Sequence, residues 1–128
     1  MAAKNLSRHV QTYNIYAQCH VTGVKFLSEG RDKGRSTQNS GVMLLADDGT
    51  VYYGVLLYVV ELIYTSRMPV VLFKCRWFEL STIKVDNELI SINTNTNSYT
   101  DDSFCLATIA KQVYIYIFRN IYVAFTIY

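Results

Sequence analysis

Paired carboxylates are the first residues in this chain whose type and spacing could do chemistry. Asp47-Asp48 and Asp101-Asp102 are adjacent acids, joined by Asp86 and four glutamates. Three such groups gathered around divalent metal would activate an oxygen nucleophile for phosphoryl transfer. Both pairs explain themselves without chemistry, because Asp47-Asp48 precedes Gly49 in a turn and Asp101-Asp102 stands where a loop or helix cap would be. The thiols and imidazoles are equally sparse. Cys19, Cys75 and Cys105 are odd in number, widely spaced and without a C-x-x-C pair, so neither a disulfide framework nor a zinc site is expected and a reducing compartment fits. His9 and His20 carry no nucleophile motif, and Gly30, Gly34 and Gly49 are too isolated to cradle a phosphate. The residues predict a chain without catalysis, metal, cofactor or small-molecule substrate.

Binding offers more. The formal charge is +2 overall, yet residues 1–40 hold six basic and two acidic side chains, and the excess concentrates at Arg31, Lys33 and Arg35. Such a segment could meet phosphate, although its charge is modest for a domain that depends on electrostatics. Tyr52, Tyr53, Phe73, Trp77, Phe78 and Tyr114, with Lys74 and Arg76 beside them, could form a stacking platform for single-stranded nucleic acid. The same rings read more readily as a tyrosine-rich core under snorkelling charges, with a cage for a methylated lysine as a related possibility. Arg31, Lys33, Arg35, Lys74, Arg76 and Trp77 are the candidate contacts to nucleic acid or a protein partner.

The elements that must position them are strands. At 128 residues the chain is one domain. Val, Ile, Thr, Tyr, Phe and Trp supply 52 residues, whereas Ala and Glu together supply 11, a mixture that favours sheet over helix. Residues 1–12 lack periodicity and are expected to be a flexible arm, with one β domain over 13–128. Thr22-Gly23 is a turn candidate, 28–40 reads as a basic exposed loop, and Asp47-Asp48-Gly49-Thr50 is the strongest hairpin signal. Val51–Tyr64 is apolar on both alternating faces, as expected of a central, doubly covered strand or one that bends at Gly54. Val70–Phe78 alternates Val71, Phe73, Cys75 and Trp77 against Lys74 and Arg76. Leu89–Asn93 is a further strand, 104–112 a short helix, and 113–118 with 121–128 a closing hairpin interrupted by Arg119-Asn120. That interruption, and the 14-residue length of the other apolar stretch, argue against membrane spans. The expected fold is mainly β: a small antiparallel barrel or sandwich of seven or eight short strands and one short helix. Its hairpin followed by a strand ending Arg-Trp-Phe is weakly similar to SH3-like and bromo-adjacent-homology (BAH)-like readers.

Three sequence words carry a closer resemblance. Thr37-Gln38-Asn39-Ser40-Gly41-Val42, Tyr52-Tyr53-Gly54-Val55-Leu56 and Leu72-Phe73-Lys74-Cys75-Arg76-Trp77-Phe78, in this order, resemble a plant family, domain of unknown function 4216. Gly23-Val24-Lys25-Phe26 is similar to its entry strand, and Phe104-Cys105-Leu106-Ala107 with Gln112-Val113-Tyr114 to its last segment. Departures include Leu57 and Tyr58 where acids are usual, Ile109 for a glutamine, and Ile121 for a tryptophan. The resemblance implies an origin in reading frames of CACTA-type (En/Spm-like) transposons, with the catalytic core elsewhere in the element. It further implies a non-catalytic accessory module that contacts DNA or another transposon-encoded protein, intracellular and nuclear by that context. The alternatives are an SH3-like or BAH-like chromatin or peptide reader, or a decayed transposon fragment without function.

Overall fold

The computed structural model describes residues 10–32, 37–64, 68–79, 83–86, 89–93, 98–99, 104–118 and 121–126. Its strands are β1 (Val10–Tyr16), β2 (Gln18–Val21), β3 (Val24–Leu27), β4 (Thr37–Leu45), β5 (Val51–Tyr64), β6 (Val70–Phe78), β7 (Ile83–Asp86), β8 (Leu89–Asn93), β9 (Ser98–Tyr99), β10 (Phe104–Leu106), β11 (Lys111–Phe118) and β12 (Ile121–Thr126). A single helical turn, α1 (Glu29–Asp32), and a 3-10 turn at Ala107–Ile109 complete the described elements. Ten strands form one antiparallel sheet in the order β10-β6-β5-β4-β11-β12-β8-β7, with β1 added to β5 and β9 to β6, while β2 and β3 form a separate hairpin. The mainly β, antiparallel expectation holds, with twelve described strands in place of the seven or eight expected.

The organiser is β5, whose 14 residues are long enough to serve three partners. Its first half pairs with β4, from Val51↔Leu45 to Val55↔Gly41, and its second half with β1, from Val59↔Tyr16 to Tyr64↔Val10. The opposite edge of β5 runs along β6 through a register shift between Leu56 and Tyr58. Asp-Gly chemistry fixes the β4–β5 turn: Gly49 takes φ +87°, Asp48 Oδ1 accepts a hydrogen bond from the Thr50 N–H at 2.9 Å, and Ala46 N–H donates to the Thr50 carbonyl.

Both faces of β5 carry buried residues, as its largely apolar run demands. On one side Phe26, Val42, Leu56, Val59, Phe73, Cys75, Trp77, Cys105 and Ala107 form a cluster capped by the β2–β3 hairpin. Phe26 meets Phe73 edge-on at 4.9 Å between ring centres, a geometry worth about 1 kcal/mol beyond burial. On the other side Val55, Phe78, Ile90, Ile92 and Val113 form a second cluster. In the ladder order β6 and β8 are five steps apart, about 24 Å in a flat sheet. Burial of Phe78 and Ile92 to 2% and 3% exposure within that cluster therefore accompanies a sheet that coils on itself. Among the described residues its ends, β10 and β7, do not pair, so the barrel is open and the layering sandwich-like.

Three local expectations are corrected. The helix expected near 104–112 shrinks to the 3-10 turn at Ala107–Ile109, because Phe104-Cys105-Leu106 ladders against Lys74-Phe73-Leu72 and delivers Cys105 to the core. Edge hydrogen bonds on β6 outweigh a weak local helix preference there. Residues 10–12, expected to belong to the arm, are part of β1, since that strand has β5 to pair with; residues 1–9 lie outside the described residues. The loop expected over 28–40 contains α1, and β4 reaches back to Thr37. Both apolar stretches are strands, and no described helix is long and apolar enough to cross a membrane.

Candidate functional site

The possible aromatic platform is taken apart by the fold. Phe73, Trp77 and Phe78 are 0%, 5% and 2% exposed, so they are core residues, as the alternative reading of the tyrosine-rich segments had it. Trp77 stands opposite Gly54 on β5 and meets Tyr52 edge-on at 6.4 Å. The side chain of Tyr114 lies outside the described residues.

The expected cations separate. Lys74 and Arg76 share the half-solvated face of β6, but each is engaged. The Lys74 ammonium sits 4.7 Å from the centre of the Phe104 ring. Arg76 Nη2 donates to Glu29 Oε1 at 2.7 Å while its guanidinium lies 5.3 Å from the Phe78 ring centre. At 26% and 30% side-chain exposure that ion pair is worth about 1 kcal/mol, and it moors α1 to β6. Arg31 is exposed on α1, whose start is closed by its own N–H donating to the Ser28 hydroxyl and carbonyl. Lys33 and Arg35 lie outside the described residues.

A different basic site emerges at the β2–β3 hairpin. Thr22 (φ +50°) and Gly23 (φ +81°) make its two-residue turn, the conformation that matches the right-handed twist of the flanking strands. Gln112 then ties the hairpin to the main sheet, its Nε2 donating to the Lys25 carbonyl at 2.6 Å and the Asn39 carbonyl at 3.0 Å. Between hairpin and sheet opens a cleft of about 600 Å³, lined among others by Thr22, Lys25, Asn39, Thr108, Lys111 and Gln112. Lys25 and Lys111 are both exposed, and no carboxylate is among the described lining residues. Two ammonium groups and two threonine hydroxyls around one open cleft suit an extended anion such as a phosphate backbone. Sequence reasoning missed this site because Lys25 and Lys111 are 86 positions apart and neither belongs to a charge run. The one available signal was the Thr22-Gly23 turn, which says that a hairpin exists but not where it docks.

A smaller cleft of about 280 Å³ gathers Tyr16, Gln18, Cys19, His20 and Glu61 against Val59 and Val71. Tyr16 donates its hydroxyl proton to Glu61 Oε1 at 3.2 Å. Burial, with the Glu61 carboxylate adding to it, pushes the Cys19 thiol up, which keeps it protonated rather than nucleophilic. In the main core Cys75 is also pushed up, by its hydrogen bond with Cys105 and by burial. Among the described residues no three His, Cys, Asp or Glu side chains gather as a metal site. Asp48 serves the hairpin turn, while Asp101 and Asp102 lie outside the described residues.

No curated protein and no solved structure matches the chain. The family described as Domain of unknown function (DUF4216) matches residues 60–121. That span contains the β6 word Leu72 to Phe78, the Phe104-Cys105-Leu106-Ala107 segment and Gln112; the words at 37–42 and 52–56 precede it. Over that span, 62 of 128 residues, the chain is similar to the DUF4216 family.

Proposed function

We propose that this chain is a non-catalytic accessory module of a CACTA-type transposon-derived protein, and that it docks DNA through the cleft between the β2–β3 hairpin and the start of β11. The carrying observation is that Lys25 and Lys111 line one cleft with no carboxylate among its described lining residues. Hydroxyls at Thr22 and Thr108 add donors suited to phosphate oxygens. The transposon context, and the nuclear location that goes with it, come from the sequence resemblance. A chromatin-reader role has less support, because an aromatic cage needs open rings and Phe73, Trp77 and Phe78 are buried.

Labelled duplex and single-stranded DNA, titrated by fluorescence anisotropy at low and moderate salt, test the reading. Two lysine contacts give a salt slope near −2, or about a tenfold loss of affinity between 50 and 200 mM. Charge reversal of both Lys25 and Lys111 abolishes that salt-dependent binding, while the buried Trp77 reports whether the variant is folded. Absence of binding by the unaltered chain at low salt overturns the DNA assignment.

A further inference from the structure

We infer that β1 is a self-association edge, through which two copies of this chain pair antiparallel and join their large sheets into one. β1 hydrogen-bonds to β5 along one side only; among the described residues no strand pairs with its outer side. A free edge presents a row of backbone donors and acceptors, the chemistry that recognises another extended strand. Natural edges are usually blunted by charge, proline, shortness or a bulge along their length. β7 carries Lys84 and Asp86, and β10 has three residues. β1, by contrast, has seven residues, Val-Gln-Thr-Tyr-Asn-Ile-Tyr, without a charge or a proline, and its one register shift lies at its start, between Val10 and Thr12, leaving residues 12–16 regular. It also exposes large apolar surface: Tyr13 is 64%, Ile15 58% and Tyr16 45% exposed.

The occupant is a second copy because the strand is complementary to itself. A two-fold axis through Tyr13, the midpoint of β1, centres the seam on residues 12–14, clear of the register shift between Val10 and Thr12. It sets Tyr13 against Tyr13 of the second copy and Thr12 against Asn14, two neutral polar side chains on one face. Ile15 falls diagonal to Tyr13 of the second copy, within reach of an aromatic ring. No like charges meet along the seam. Glu61, which faces Asn14 from β5, already accepts hydrogen bonds from Asn14 and Tyr16. A single strand pair is a small interface, so association belongs in the micromolar range.

Sedimentation velocity of the full chain at about 10–200 µM, the range such an interface calls for, tests the inference. The expected result is a shift with concentration from the 14.7 kDa chain toward a species of twice that mass. Tyr13→Lys places two cations against each other across the axis and restores the monomer, with Trp77 emission unchanged. A Tyr13→Cys variant in a Cys19→Ser background gives a second readout: under a mild disulfide oxidant it crosslinks to itself, since residues facing across an antiparallel pair have Cα atoms about 4.5–5.5 Å apart. A monomer at every concentration overturns the inference, as does a dimer indifferent to Tyr13→Lys. Should Tyr13→Lys disturb Trp77, the crosslink decides: its formation upholds the seam and its absence refutes it.

Discussion

Replacing Gly54 by alanine tests the packing logic of the central sheet with a single methyl group. Gly54 stands directly opposite Trp77 in the β5–β6 ladder. A Cβ built on it would lie 2.7 Å from the Arg76 carbonyl oxygen, 2.7 Å from Trp77 Cε3 and 3.2 Å from Trp77 Cδ2. Ordinary contact begins near 3.4 Å, so the neighbours must retreat by about 0.7 Å. Neither can do so cheaply, because the carbonyl is held by the ladder and the indole is wedged in the core at 5% exposure. Overpacking of this kind costs about 1–3 kcal/mol, and the backbone clash argues for the upper half. Alanine recovers about 0.5–1 kcal/mol by restricting the unfolded chain. The net expectation is a loss of about 2 kcal/mol, or a fall in Tm of about 8 °C for a chain of this size. Urea unfolding followed by Trp77 emission and by circular dichroism measures it. The emission maximum should also move to the red as the ring is displaced. Pairing Gly54→Ala with Trp77→Leu should return part of the loss, because the colliding ring is gone. A Gly54→Ala chain as stable as the parent, with unshifted emission, would refute the close approach of β5 to the indole.

Thr22→Asn should stabilise the chain by about 0.5–1 kcal/mol, since a β-branched residue at φ +50° is strained where asparagine is at ease; a lowered urea midpoint would contradict the turn. The Asp48 carboxyl is held below its ordinary 3.8 by the Thr50 N–H bonded to it. A depressed folded-state value makes its contribution complete above 3.8 and lost as the pH falls through that lower value. Melts between pH 5 and pH 2 should accordingly show a smaller acid loss in Asp48→Asn than in the parent. Equal losses would mean that the turn does not draw on the charge.

Much of the sheet was legible because its signals are local. Asp47-Asp48-Gly49 names a hairpin through the positive φ of Gly49, and an apolar run as long as β5 has no stable place except between two covered faces. Alternation along β6 separated Phe73, Cys75 and Trp77 from Lys74 and Arg76, as the structure has them. At 104–112 the same method failed, for Phe104-Cys105-Leu106 takes strand form from the free edge of β6 rather than from its own preference.

The sequence by itself determined that this chain builds antiparallel sheet and which strands lie centrally, since side-chain periodicity and turn chemistry act over a few residues. Which side chains meet was decided by the tertiary structure alone. Glu29 claims Arg76, Phe104 receives Lys74, and Gln112 draws the β2–β3 hairpin over the core so that Lys25 and Lys111 face one cleft. Charges and amide groups act over a few ångströms of space and carry no period along the chain, so their partners follow from how the sheet coils and not from spacing in the sequence.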